Sequence, residues 1–172
     1  AALRAAPDAA VLEVLAQPAL AEKVDAVLLL DGIHVGYRAN GTDLVMERLA
    51  PFIHFAESAV AGKKLFSITH SDITPLGHYA GTHETTDALL RAVGVTRGPP
   101  GEPPPMPALF SVEGVIAAKK LVWLQPESET VQGGLHVRGF HGDQAEHHIA
   151  HLVQMSVTAL PDLVAWWKPS AR

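Results

Sequence analysis

Histidine and aspartate are the side chains best suited to moving protons or holding cations near neutral pH. In this sequence they gather just after the apolar runs. Asp31, Gly32 and His34 follow Val24–Leu30; His70, Ser71 and Asp72 follow Leu65–Thr69, with His78 and His83 further on. His136 lies within the run Leu135–Phe140, and His141, His147, His148 and His151 come after it. The chain has 10 histidines and no cysteine. Thiolate nucleophiles, thiolate zinc sites and disulfides are therefore excluded. What remains is imidazole–carboxylate chemistry: a histidine that takes a proton from a hydroxyl nucleophile while a carboxylate orients it, or a shared cation.

The cation version rests on Glu146–His151. On a helix, His147 and His151, or His148 and His151, lie one turn apart, and a third ligand would come from His136, His141 or Asp143. The segment lacks the His-Glu-x-x-His pattern, so no metal is assigned and the histidines read first as proton-transfer or pocket-lining groups. Neither Gly-x-x-x-x-Gly-Lys-Ser/Thr nor Gly-x-Gly-x-x-Gly occurs, so no nucleotide cradle and no cofactor is expected.

The elements that must position these groups follow from periodicity. Val11, Leu12, Val14 and Leu15, bracketed by Pro7 and Pro18, predict a helix within residues 1 to about 20. Val24–Leu30 is too short for a helix and does not alternate, which predicts a strand buried on both faces. Thr42-Asp43 offers an N-cap to a helix running to Gly62, bent at Pro51. A second strand is expected over Leu65–Thr69 and a third helix over Thr85–Val93, stopped by Gly94, with the hydroxyls and acids of Thr82–Asp87 at its N-terminus. Residues 98–107, rich in Pro and Gly, form an extended surface loop within the domain. Lys120–Leu124 and Leu135–Phe140, the latter after the Gly133-Gly134 turn, are further strands. Ala145–Leu160 closes the pattern as a helix, with Trp166-Trp167 either sealing it to the body or contacting a partner. Alternating helices and strands predict a single α/β domain, or the C-terminal part of one, over 1–172, with a mostly parallel sheet whose ligands sit at the carboxyl ends of the strands.

Composition sets the boundaries of the functional reading. The 172 residues carry 13 Lys+Arg against 18 Asp+Glu, a net charge of −5 without any basic block, which argues against nucleic-acid or anionic-membrane partners. Hydrophobic residues make up 48% and charged ones 18%, enough to build a core and too little charge for disorder. No apolar run approaches the ~20 residues that span a bilayer. A soluble chain is expected, with the cytoplasm as default compartment because no signal peptide is visible.

This layout resembles the C-terminal two thirds of the α/β-hydrolase-fold serine hydrolases. Leu65-Phe66-Ser67-Ile68-Thr69-His70-Ser71-Asp72-Ile73-Thr74-Pro75 is similar to that family's strand, short turn, acid and proline. His136-Val137-Arg138-Gly139-Phe140-His141-Gly142-Asp143, leading to His147 and His148, is similar to its final strand, turn, histidine and closing helix. The resemblance implies hydrolysis of a small-molecule ester, amide or related acyl substrate, with His148 or His141 as base and Asp72, or alternatively Asp31, as acid; His34, His70 and His83 would line the substrate pocket. The family's nucleophile elbow, Gly-x-Ser-x-Gly, occurs nowhere from Ala1 to Arg172, and residues 1–20 resemble the helix that follows it. The serine is accordingly expected from an N-terminal segment or a partner chain. The alternatives are a non-catalytic α/β binding or assembly subunit and a His-rich metal-binding domain.

Overall fold

The computed structural model describes residues 7–75, 79–101, 125–141 and 159–167. In chain order these form α1 (Pro7–Leu15), α2 (Pro18–Ala21), β1 (Ala26–Leu29), α3 (Met46–Val60), β2 (Leu65–Ser71), α4 (Thr82–Ala92), β3 (Ser128–Gln132), β4 (Leu135–Phe140) and α5 (Leu160–Trp167). The architecture is α/β, as the alternation of patterns predicts. The described strands make one sheet in the order β1-β2-β4-β3. β1, β2 and β4 are parallel, while β3 joins β4 as an antiparallel hairpin, so the sheet is mixed.

β2 is the central strand, and its burial shows it: every residue from Leu65 to Ser71 is buried. Its alternating side chains serve two different layers. Phe66 meets α3 through Phe55, edge to face at a centroid distance of 5.4 Å, and through Phe52 at 6.5 Å. Ile68 and the α4 residue Leu89 belong to the same core. Ser67, pointing to the opposite face, meets Asp162 of α5 instead.

Several local expectations change. β1 is four residues long and alternates between half-buried and buried positions, because among the described residues only β2 pairs with it. The strand buried on both faces is β2. α3 begins at Met46, not at a Thr42-Asp43 cap: Asn40 Oδ1 accepts the Thr42 and Asp43 N–H groups in a tight turn that ends before the helix. Pro51 lies inside α3. α4 starts at Thr82, three residues earlier than periodicity suggests, with Gly94 in the left-handed conformation just past its end. α2, β3 and α5, which begins at the residue where the expected closing helix ends, are elements the sequence reading does not contain. The expected strand Lys120–Leu124 and residues 145–158 of the expected closing helix lie outside the described residues, as does the loop beyond Gly101. Among the described residues, no helix is long and apolar enough to cross a membrane.

The β3–β4 turn needs two successive glycines. At Gly133, with φ +61°, a Cβ would stand 2.4 Å from the Val60 carbonyl oxygen; at Gly134 it would stand 2.1 Å from that of Lys64. The turn presses directly onto the end of α3, where Gly134 N–H donates to Ala59 O at 2.7 Å.

Candidate functional site

At the carboxyl ends of β2 and β4 the parallel register brings Ser71 opposite Phe140. The next residue on each strand is therefore carried out of the sheet side by side. Asp72 N–H donates to Phe140 O at 3.3 Å, and Glu127 N–H, from the segment leading into β3, donates to Gly139 O at 2.8 Å. These backbone bonds bring Asp72, His141 and Glu127 together. His141 Nδ1 lies 3.2 Å from Asp72 Oδ2, and its Nε2 lies 2.8 Å from Glu127 Oε2. The imidazole is thus held between two carboxylates, and with side chains 54%, 44% and 31% exposed for His141, Asp72 and Glu127 the group is open to solvent. Asp72 and His141 were expected at this place; Glu127 was not, since Gln125-Pro126-Glu127 has no pattern that marks a strand end.

Asp31 is also at a strand end, after β1, and its backbone is unusual. It adopts φ +73°, and Gly32 follows at φ +81°. Left-handed backbone costs a side-chain-bearing residue about 1–2 kcal/mol, and Asp is among the few that visit it. The double turn drives the chain against α4: a Cβ on Gly32 would stand 2.4 Å from Thr82 Cβ. Three threonine hydroxyls then fasten this corner. Thr82 Oγ1 donates to Ser71 O at 3.1 Å, Thr85 Oγ1 donates to Ile33 O at 2.6 Å, and Thr69 Oγ1 accepts the Asp31 N–H at 3.3 Å. The α4 hydroxyls expected to cap that helix are used to fix the ends of β1 and β2 in place. Asp31 itself is buried.

His34 turns toward α1. Its N–H donates to Asp8 Oδ2 at 2.8 Å, and its Nδ1 lies 3.5 Å from Asp8 Oδ1. Burial pushes the Asp8 carboxyl up, but its hydrogen bonds to His34 and the charge of that imidazole outweigh this and hold it below its ordinary value. With Val11, Leu28–Leu30 and Gly32, the pair borders a cavity of about 110 Å³.

His70 is an interior group. Its side chain is 1% exposed, and burial together with the nearby Arg97 guanidinium lowers its pKa to about 3. It is therefore neutral near pH 7. Arg97 Nη1 donates to His70 Nε2 at 2.7 Å, which leaves the ring proton on Nδ1, and to Ser128 Oγ at 3.1 Å. Arg97 also pairs with Asp87. Gly139 of β4 makes room for this arrangement, since a Cβ there would stand 2.6 Å from Ser128 Oγ and 2.9 Å from His70 Cε1. His83, half-buried in the first turn of α4, lies against Gly81.

A second carboxylate–imidazole group lies across the sheet. Asp162, buried in the first turn of α5, receives Ser67 Oγ at 2.8 Å and both Arg138 terminal nitrogens at 2.6 and 3.0 Å, while His136 Nδ1 lies 2.9 Å away. Arg138 Nε donates to Glu129 Oε1 at 2.8 Å. Burial raises the Asp162 pKa, yet the His136 and Arg138 hydrogen bonds and charges prevail and hold it far below the usual carboxylate range. His136, expected among possible metal ligands, is engaged here. His78, Asp143, His147, His148 and His151 lie outside the described residues.

Compared with family models, with curated proteins and with solved structures, the chain gives no match in any of the three searches. The functional reading therefore rests on the geometry of these groups.

Proposed function

We propose that this chain carries the acid–base half of a serine-type hydrolase acting on ester, amide or related acyl bonds. His141 is the general base and Asp72 the carboxylate that orients it. The observation that supports this reading is the 3.2 Å contact between His141 Nδ1 and Asp72 Oδ2, at the carboxyl ends of two neighbouring parallel strands. A serine hydroxyl is a poor nucleophile until an imidazole accepts its proton. A carboxylate on Nδ1 selects the tautomer whose Nε2 is free to do so and stabilises the imidazolium that forms. Nε2 faces Glu127 Oε2 at 2.8 Å, so in the proposed site the serine hydroxyl would take the place of that carboxylate. Asp31 is the alternative acid, carried on a left-handed backbone of the kind that often accompanies functional sites.

No Gly-x-Ser-x-Gly is present in the sequence, so the reading assigns the nucleophile to a segment or chain outside it. The test is to treat native material with a fluorophosphonate serine probe and to measure the intact mass of every polypeptide that takes the label. A labelled serine on a segment joined to this chain, or on a polypeptide that co-purifies with it, is the expected result. Native material that contains no labelled species overturns the hydrolase reading in favour of a binding or assembly subunit.

A further inference from the structure

The group at the strand ends also has the composition of a cation site. One nitrogen of His141 and one oxygen each of Asp72 and Glu127 lie within 4.8 Å of one another. The three residues come from three adjacent strands and are pinned by backbone hydrogen bonds: Asp72 N–H to Phe140 O at 3.3 Å and Glu127 N–H to Gly139 O at 2.8 Å. The side chains converge because the strand ends do. Metal–nitrogen and metal–oxygen bonds to such ligands are roughly 2.0–2.2 Å.

We propose that Asp72, Glu127 and His141 form a binding site for a first-row divalent cation such as Zn²⁺. The donor set selects the class. Imidazole suits zinc and its neighbours better than Mg²⁺ or Ca²⁺, and two carboxylates supply the charge that neutralises a dication. Solvent exposure leaves room for water to complete the coordination shell. Coordination needs an unprotonated imidazole nitrogen and ionised carboxylates, so protons compete with the ion and affinity falls as pH is lowered. The site shares His141 with the cation site expected around Glu146–His151 but takes its other two donors, Asp72 and Glu127, from the strand ends, and cation binding stands independently of acyl hydrolysis. If His141 also serves as a base, the two uses exclude each other, because a metal-bound nitrogen cannot accept a proton.

The experiment is calorimetric titration of Zn²⁺ into the chain, into Glu127→Gln and into His141→Gln. The account expects saturable binding with one site removed, or weakened at least about tenfold, by each substitution. Zn²⁺ binding that is equally tight and of equal stoichiometry in wild type and Glu127→Gln overturns it, since the ion is then held by other histidines. No saturable binding in the wild type also overturns it. Neither result bears on fluorophosphonate labelling, so this proposal and the hydrolase reading fail separately.

Discussion

Two carboxylate–imidazole groups lie on the same sheet in contrasting surroundings. Asp162 and His136, 2.9 Å apart, are enclosed beneath α5 with Arg138 and Ser67. Asp72 and His141, 3.2 Å apart, stand at the strand ends in contact with water. In the interior, a carboxylate without partners would be costly, and Asp162 is held by Ser67, Arg138 and His136. Such a group ties α5 to β2 and β4. At the strand ends the same chemical pair adds little to stability and stays accessible to a reacting molecule or an ion. Burial, more than residue type, decides which of the two is available for chemistry.

The contrast is broken most directly at Asp162. Asp162→Ala removes the buried carboxylate shared by Ser67, His136 and the half-buried Arg138 and is expected to cost about 3–5 kcal/mol in urea unfolding. A loss below about 1 kcal/mol would place the interior group in the same class as the exposed one.

Acid titration sharpens the comparison. His70, whose pKa is lowered to about 3 from 6.5, is neutral when folded and binds a proton more readily when unfolded. Its contribution is therefore fully present above pH 6.5 and is lost as pH falls toward 3. The slope is at most about 1.4 kcal/mol per pH unit. Asp162, with its pKa lowered, contributes stability above the ordinary carboxylate value of about 4 that is lost below it. Unfolding curves should steepen first through the His70 range and again below about pH 4, and His70→Gln should remove the first limb only.

Gly139→Ala tests the packing between the two regions. The added methyl meets Ser128 Oγ and His70 Cε1, so a loss of about 1–3 kcal/mol is expected in thermal or urea unfolding. The smallest effect belongs to the exposed group: Asp72→Asn should change stability by no more than about 1 kcal/mol by the same measurement.

The legibility of these regions in the sequence follows the same division. β2 was recognisable because its apolar run and its place at the centre of the sheet agree. β1 has an equally apolar run, but burial on both faces needs a neighbour on each side, which a local pattern cannot report. Asp72 and His141 were legible because each directly follows a strand, where chain direction alone places them. Glu127 reaches the same point from a segment without periodicity. Asp162 was hidden for a different reason: its partners Ser67 and Arg138 are 95 and 24 residues away, and the acid lies just past the expected end of the closing helix, where no local pattern marks it.

The central claim is that the exposed pair, and not the interior one, does the chemistry. It is tested most directly by the rate of acyl-ester hydrolysis in native material carrying His141→Gln or Asp72→Asn, each checked for an unchanged unfolding midpoint. The account predicts a loss of roughly a thousandfold or more in either variant. A His141→Gln protein that hydrolyses the ester at the wild-type rate would contradict it.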